Sequence, residues 1–135
     1  MPRRAAFPGS SELNFVDAEP LKIERAISPR EAAIVGWLLD QAAVGDVSGY
    51  RLRPAEELRV VGGCDCGCCS LEFQPGGWGK AEIVAEAYAV YPDGQQAGLI
   101  LWGRNRELVL LEVYECHVGA SHRTPEVSDL RLKNR

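Results

Sequence analysis

Glu82-Ile83-Val84-Ala85-Glu86-Ala87-Tyr88-Ala89-Val90-Tyr91-Pro92-Asp93-Gly94 is the stretch whose reading decides the fold. Residues 82–91 alternate with period two, the spacing of a strand half buried in a sheet. Ile83, Ala85, Ala87, Ala89 and Tyr91 fall on one face, and Val84, Glu86, Tyr88 and Val90 on the other. Pro92-Asp93-Gly94 then turns the chain, because Pro presets φ and Gly takes the left-handed position. Strand character returns over 96–103. It breaks at Arg104-Asn105-Arg106, where Asn105 suits φ > 0, and returns again over 108–116. Strands joined in succession by short hairpins form a β-meander. The alanines on the face of Ile83 and Tyr91 leave room for a helix to approach closely.

Ser28-Pro29-Arg30-Glu31 supplies that helix. A Ser cap, Pro at the first helical position and Glu three residues after the cap make a capping box, which satisfies backbone N–H groups that the first turn leaves unpaired. The spacing predicts a helix over 29–43. Ile34, Trp37, Leu38 and Gln41 share one side, with Val35, Leu39 and Ala42 beside them. So broad an apolar stripe packs on a sheet. Upstream, 21–25 reads as a short strand. Residues 1–19 have little periodicity and read as a flexible arm. Residues 54–58 read as a helical turn or two, 59–64 and 70–74 as strand arms, and 126–132 as a turn of helix. The expected fold is α+β over residues 20–135, a single domain. Its centre is a curved antiparallel sheet of four or five strands, a β-meander, with one main N-terminal helix packed on one face.

Between the two strand arms lie Cys64, Cys66, Cys68 and Cys69. Thiolates are soft ligands, and four of them can hold zinc tetrahedrally. The spacing Cys-x-Cys-x-Cys-Cys is not that of a zinc knuckle, which leaves about two to four residues between paired ligands. A zinc site here draws on turn cysteines together with Cys116, His117 or His122. In the plainer reading the cysteines are small hydrophobes that fill a tight hairpin, and Gly62, Gly63 and Gly67 permit its backbone. A redox role needs two residues between the cysteines and a helix start behind them, and no helix follows here.

Val60-Val61-Gly62-Gly63 followed by Cys64-Asp65-Cys66-Gly67-Cys68-Cys69-Ser70 resembles the Cys-Gly-Cys-Gly-Cys-Pro-Ser segment of a family of small bacterial proteins with no established activity. Leu111-Glu112-Val113-Tyr114, with Pro125 and Leu130-Arg131 further on, resembles the end of the same group. The likeness covers about 60–131. This chain departs from the pattern at Asp65, where Gly is expected, and at Cys69, where Pro is expected. The resemblance implies a shared architecture and no activity.

A net charge of -4 argues against non-specific nucleic-acid binding, which needs a basic surface to displace counterions. No apolar run reaches the ~20 residues that span a bilayer, so no membrane role is expected. No apolar stretch follows Arg3 and Arg4, as a secretory signal would require. With an odd number of cysteines, 5 in all, the expected setting is a reducing cytoplasm with free thiols.

No phosphate-binding glycine loop, dinucleotide fingerprint or HExxH is present. Glu86 shares a strand face with Tyr88, and Glu112 shares one with Tyr114. Trp78 follows two glycines in a loop and is an anchor candidate. The leading expectation is a non-catalytic domain with no catalytic residues. It binds a protein partner of basic charge through Trp78, Glu86, Tyr88, Glu112 and Tyr114, and sheet extension offers a route to a homodimer. The alternative is a zinc protein using Cys64, Cys66, Cys68, Cys69, Cys116, His117 and His122. A small enzyme using the sheet-face carboxylates comes third.

Overall fold

The computed structural model describes residues 24–51, 53–63, 68–75, 79–115, 120 and 123–133. Several sequence expectations fall outside these residues: the arm over 1–19, most of the 21–25 strand, residues 64–67 of the cysteine turn, Trp78, Cys116, His117 and His122.

The capping box forms as read. Glu31 N–H donates to Ser28 Oγ at 3.1 Å, and Ser28 N–H donates to Glu31 Oε1 at 2.9 Å. The helix it starts, α1, spans Pro29–Gln41 and buries Ala32, Ile34, Val35, Leu38 and Leu39. It stops short of the predicted 43 because the next residues are drawn to a strand. Val44 N–H donates to Val84 O at 3.0 Å, and Glu86 N–H donates to Ala42 O at 3.2 Å.

The strands in chain order are β1 (Arg25–Ala26), β2 (Arg59–Val60), β3 (Gly62–Gly63), β4 (Leu71–Glu72), β5 (Glu82–Val90), β6 (Gln96–Arg104), β7 (Glu107–Glu115) and β8 (Leu130–Leu132). β3 to β8 form an antiparallel six-stranded sheet in the order β3-β4-β7-β6-β5-β8. β1 and β2 form a separate two-stranded ladder. The α+β class and the β5-β6-β7 meander are as the sequence predicts. The sheet has six strands rather than four or five, and its additions are short. The expected 59–64 strand divides at Val61, one half pairing with β1 and the other with β4. The expected helical turn over 126–132 becomes a 3-10 turn at Val127–Asp129 followed by β8, which pairs along β5. A three-residue strand carries too little periodicity to be read. The edge of β5 is what makes it one.

Both hairpin turns form where expected. Gly94 has φ 89, and Gly94 N–H donates to Tyr91 O at 2.8 Å. Asn105 and Arg106 have φ 53 and 66, the paired left-handed conformation of a two-residue hairpin turn.

A β-bulge between Ile83 and Ala85 corrects the predicted face of two residues. Val84 turns inward and is buried, while Ile83 faces out and is 38% exposed. The bulge lies where residues 42–44 bond to β5 and Ala43 bridges Ala85, so the added pairing and the extra residue coincide.

The core lies between α1 and the inner sheet face. Ala85, Ala87, Ala89 and Ala97 are fully buried there, with Leu99, Leu101, Leu111 and Val113 on the strands beside them. Ile34, Val35 and Leu38 of α1 complete it. Burial of each large aliphatic side chain stabilises the fold by about 1.5–3 kcal/mol. Among the described residues, no helix is long and apolar enough to cross a membrane.

Candidate functional site

The helix-free face of the sheet collects the residues that strand alternation points away from the core. Register sets them in rows. Tyr88, Gly98 and Tyr114 stand across β5, β6 and β7, and Glu86, Ile100 and Glu112 form the next row. Ile83, Trp102, Leu110 and Glu72 form a third that reaches β4. The four strand residues the sequence nominated, Glu86, Tyr88, Glu112 and Tyr114, are therefore together on one surface, each half-buried. Trp78, nominated with them, lies outside the described residues.

Packing details give this surface its shape. The Tyr114 ring lies flat over Gly98, so close that a Cβ there would sit 2.0 Å from the ring carbon Cζ. Gly98 is thus the seat on which an aromatic ring covers bare backbone. Trp102 Nε1 donates to Glu112 Oε1 at 3.0 Å, a diagonal cross-strand contact. Lys133 Nζ donates to Glu86 Oε1 at 2.8 Å from the end of β8. Each carboxylate thus has its own donor. Sequence reading left Trp102, Ile100 and Gly98 out of the site. Their common parity along β6 is the signal that would have added them.

A second arrangement lies at one end of the sheet. β3 and β4, which flank the cysteine segment in sequence, pair antiparallel. Beyond β4, Val113 N–H donates to Ser70 Oγ at 2.9 Å, and Ser70 Oγ donates to Val113 O at 3.3 Å. Cys68 Sγ donates to the same hydroxyl at 3.3 Å. Cys69 packs against the core and hydrogen-bonds the Thr124 side chain. Burial pushes its thiol pKa up, so it stays protonated at neutral pH. Cys68 and Cys69 are both free thiols. Tyr91 O–H donates to Arg123 O at 2.6 Å, and the Arg123 guanidinium lies 4.3 Å from the centre of the Tyr91 ring. Burial raises the Tyr91 pKa to about 12.

Residues 68–70 and residues 123–124 are thus fastened to the same sheet end. Of the seven nominated metal ligands only Cys68 and Cys69 are described. Among the described residues, no group of three or more His, Cys, Asp or Glu stands close enough to hold a metal ion.

Comparison of the chain with protein-family models, with curated proteins and with solved structures finds no match.

Proposed function

We propose that this chain is a non-catalytic, cytoplasmic protein-binding domain whose helix-free sheet face receives a basic protein. The observation that carries the reading is the register that sets Tyr88, Tyr114 and Trp102 beside Glu86, Glu112 and Glu72 on one half-exposed face. Aromatic side chains supply large contact area from few rotatable bonds and dominate interface energetics. Glu72 and Glu112 stand on β4 and β7, whereas Arg131 and Lys133 sit along the β8 edge. That separation favours a cationic partner over the β4–β7 half.

The test compares proteins retained by the wild-type chain with those retained by a Glu72→Lys, Glu112→Lys double variant. Glu56→Lys, an exposed site away from the sheet, serves as the charge-matched control. A basic protein held by wild type and control, released by salt and lost from the double variant supports the reading. Equal retention by all three overturns it. So does a substrate turnover abolished by Glu86→Gln or Glu112→Gln, which would make the face an active site. Concentration-dependent sedimentation that Tyr88→Ala removes would assign the face to a second copy of the chain.

A second reading, a zinc-binding role for the cysteine end, has its own support. Ser70 on Val113 and Cys69 on Thr124 bring the flanks of the cysteine turn beside the flanks of the segment that carries Cys116, His117 and His122. Elemental analysis of freshly purified, reduced protein with a native thiol count tests it. About one equivalent of zinc per chain, with cysteines that become reactive on chelation, supports the role. No metal bound on titration ends it.

A further inference from the structure

The opposite end of the sheet holds a cleft of about 340 Å³, lined in part by Tyr50, Arg53, Leu58, Gln74, Arg106 and Leu108. Small-molecule sites typically run from about 300 to 1,000 Å³. Its walls come from three places in the chain: the 3-10 turn at Ser48–Arg51 with the residues that follow it, the exit of β4, and the β6–β7 turn.

The chemistry of the lining is uneven. Leu58 and Leu108 are buried and give it an apolar floor. Gln74 Nε2 donates to Glu107 Oε1 at 2.8 Å, and Tyr50 O–H donates to Glu82 Oε2 at 2.7 Å, so both polar groups are occupied. Burial and that carboxylate raise the Tyr50 pKa to about 12, which keeps it a neutral donor. Arg53 and Arg106 are different: among the described residues neither has an ion pair or hydrogen-bond partner. Of the nine arginines the structure describes, four are ion-paired, Arg25 with Glu31, Arg30 with Glu126, Arg51 with Asp40 and Arg123 with Asp93, and Arg104 and Arg131 donate to backbone carbonyls.

Arg106 is also held in place. Its backbone is fixed at φ 66 by the hairpin turn. Its stem lies on Gly49, where an added Cβ would come within 3.0 Å of Arg106 Cγ. A left-handed arginine whose stem is braced against a glycine at a cleft mouth is a positioned cation. Guanidinium groups bind carboxylate and phosphate through charge-assisted, frequently bidentate hydrogen bonds.

We propose that this cleft binds a small organic anion, its carboxylate or phosphate held by Arg53 and Arg106 and its apolar body laid on Leu58 and Leu108. The site is distinct from the sheet face and from the cysteine end, so it stands whatever becomes of either reading.

The test is an amide-resolved NMR titration of the full chain with phenyl phosphate, benzoate and inorganic phosphate at low salt. The expected result is saturable shifts centred on Tyr50, Asn105, Arg106 and Leu108 with one of the two aromatic anions; the better of them names the head group. Inorganic phosphate should bind at least about tenfold more weakly than phenyl phosphate, since it has no body to bury. Arg53→Ala and Arg106→Ala should each weaken binding by about tenfold or more, and Arg106→Lys by less, because lysine keeps charge but not the fork. Both arginines are exposed, so these variants should fold. Absence of saturable shifts up to about 10 mM, well above a millimolar Kd, overturns the site. So do shifts centred elsewhere, or binding unchanged in the Arg53→Ala, Arg106→Ala double variant. Equal affinity for inorganic and phenyl phosphate overturns the apolar-bodied ligand.

Discussion

Leu99 and Ile100 are neighbours on β6 with side chains of equal carbon count, yet Leu99 is fully buried under α1 while Ile100 is half-exposed on the other side. The whole sheet repeats this contrast. Its inner face is paved with small residues, Ala85, Ala87, Ala89 and Ala97, that let α1 approach. The outer face carries tyrosines, a tryptophan and carboxylates, and no described element lies over it. Large apolar side chains stand on both faces, Leu99, Leu101 and Leu111 on the inner and Ile100, Trp102 and Leu110 on the outer. What separates them is that one face has a partner within the described chain.

The sharpest way to break this comparison is to truncate both neighbours. Leu99→Ala should destabilise the fold by about 2–5 kcal/mol, as removal of fully buried aliphatic atoms does. Ile100→Ala should cost less, about 1–2 kcal/mol, because part of that side chain is already in water. Urea unfolding of both variants measures the difference. Equal costs would mean that the outer face is covered in solution.

The two glycines beneath tyrosine rings come next. A Cβ at Gly103 would meet Tyr50 Cε1 at 2.4 Å and Val84 Cγ2 at 2.8 Å, and Val84 is held in the core. Gly103→Ala should therefore cost about 1–3 kcal/mol through overpacking. At Gly98 the obstacle is Tyr114, half-exposed on the outer face and able to swing out. Gly98→Ala should cost less than Gly103→Ala and weaken partner capture, because it lifts a ring from the binding surface. Thermal midpoints of the pair test the order.

Glu31 offers a smaller effect with a defined pH dependence. Two hydrogen bonds from Arg25, each 2.9 Å, and the Ser28 N–H hold its carboxyl below the usual value of 4.5. A lowered folded-state pKa gives stability that is full above the unfolded value and is lost as pH falls through the folded one. Glu31→Gln should cost about 1 kcal/mol at neutral pH, the usual worth of a capping interaction. The wild-type and variant stability curves should converge as pH falls below 4.5, which unfolding at a series of pH values would show. A gap that persists in acid would mean that the carboxylate charge contributes little. Glu112→Lys, which removes the acceptor of the Trp102 indole N–H, should cost a similar amount, about 0.5–1.5 kcal/mol, while altering partner capture.

Much of this was legible in the sequence because the signals are local. The capping box, the Pro92-Asp93-Gly94 turn and the left-handed Asn105 each depend on a few adjacent residues. The outer-face tetrad of Glu86, Tyr88, Glu112 and Tyr114 was legible too, because period-two alternation assigns parity and the short hairpins fix register. Arg106 was not: a left-handed arginine has no composition signal, and its bracing glycine, Gly49, is distant in sequence. Nor was the inward turn of Val84. Alternation cannot reveal a bulge whose cause is a strand segment, 42–44, supplied from the end of α1.

The sequence by itself determined the α+β class, the capped helix, the meander and which residues share its outer face, since these follow from backbone propensities and the two periodicities of helix and strand. Only the tertiary structure decided the sixth strand, the bulge in β5, the docking of Ser70 on Val113 and the cleft with its two arginines, unpaired among the described residues. Each of these exists because residues far apart in the chain satisfy one another's hydrogen bonds or fail to, and no local window of sequence contains both partners.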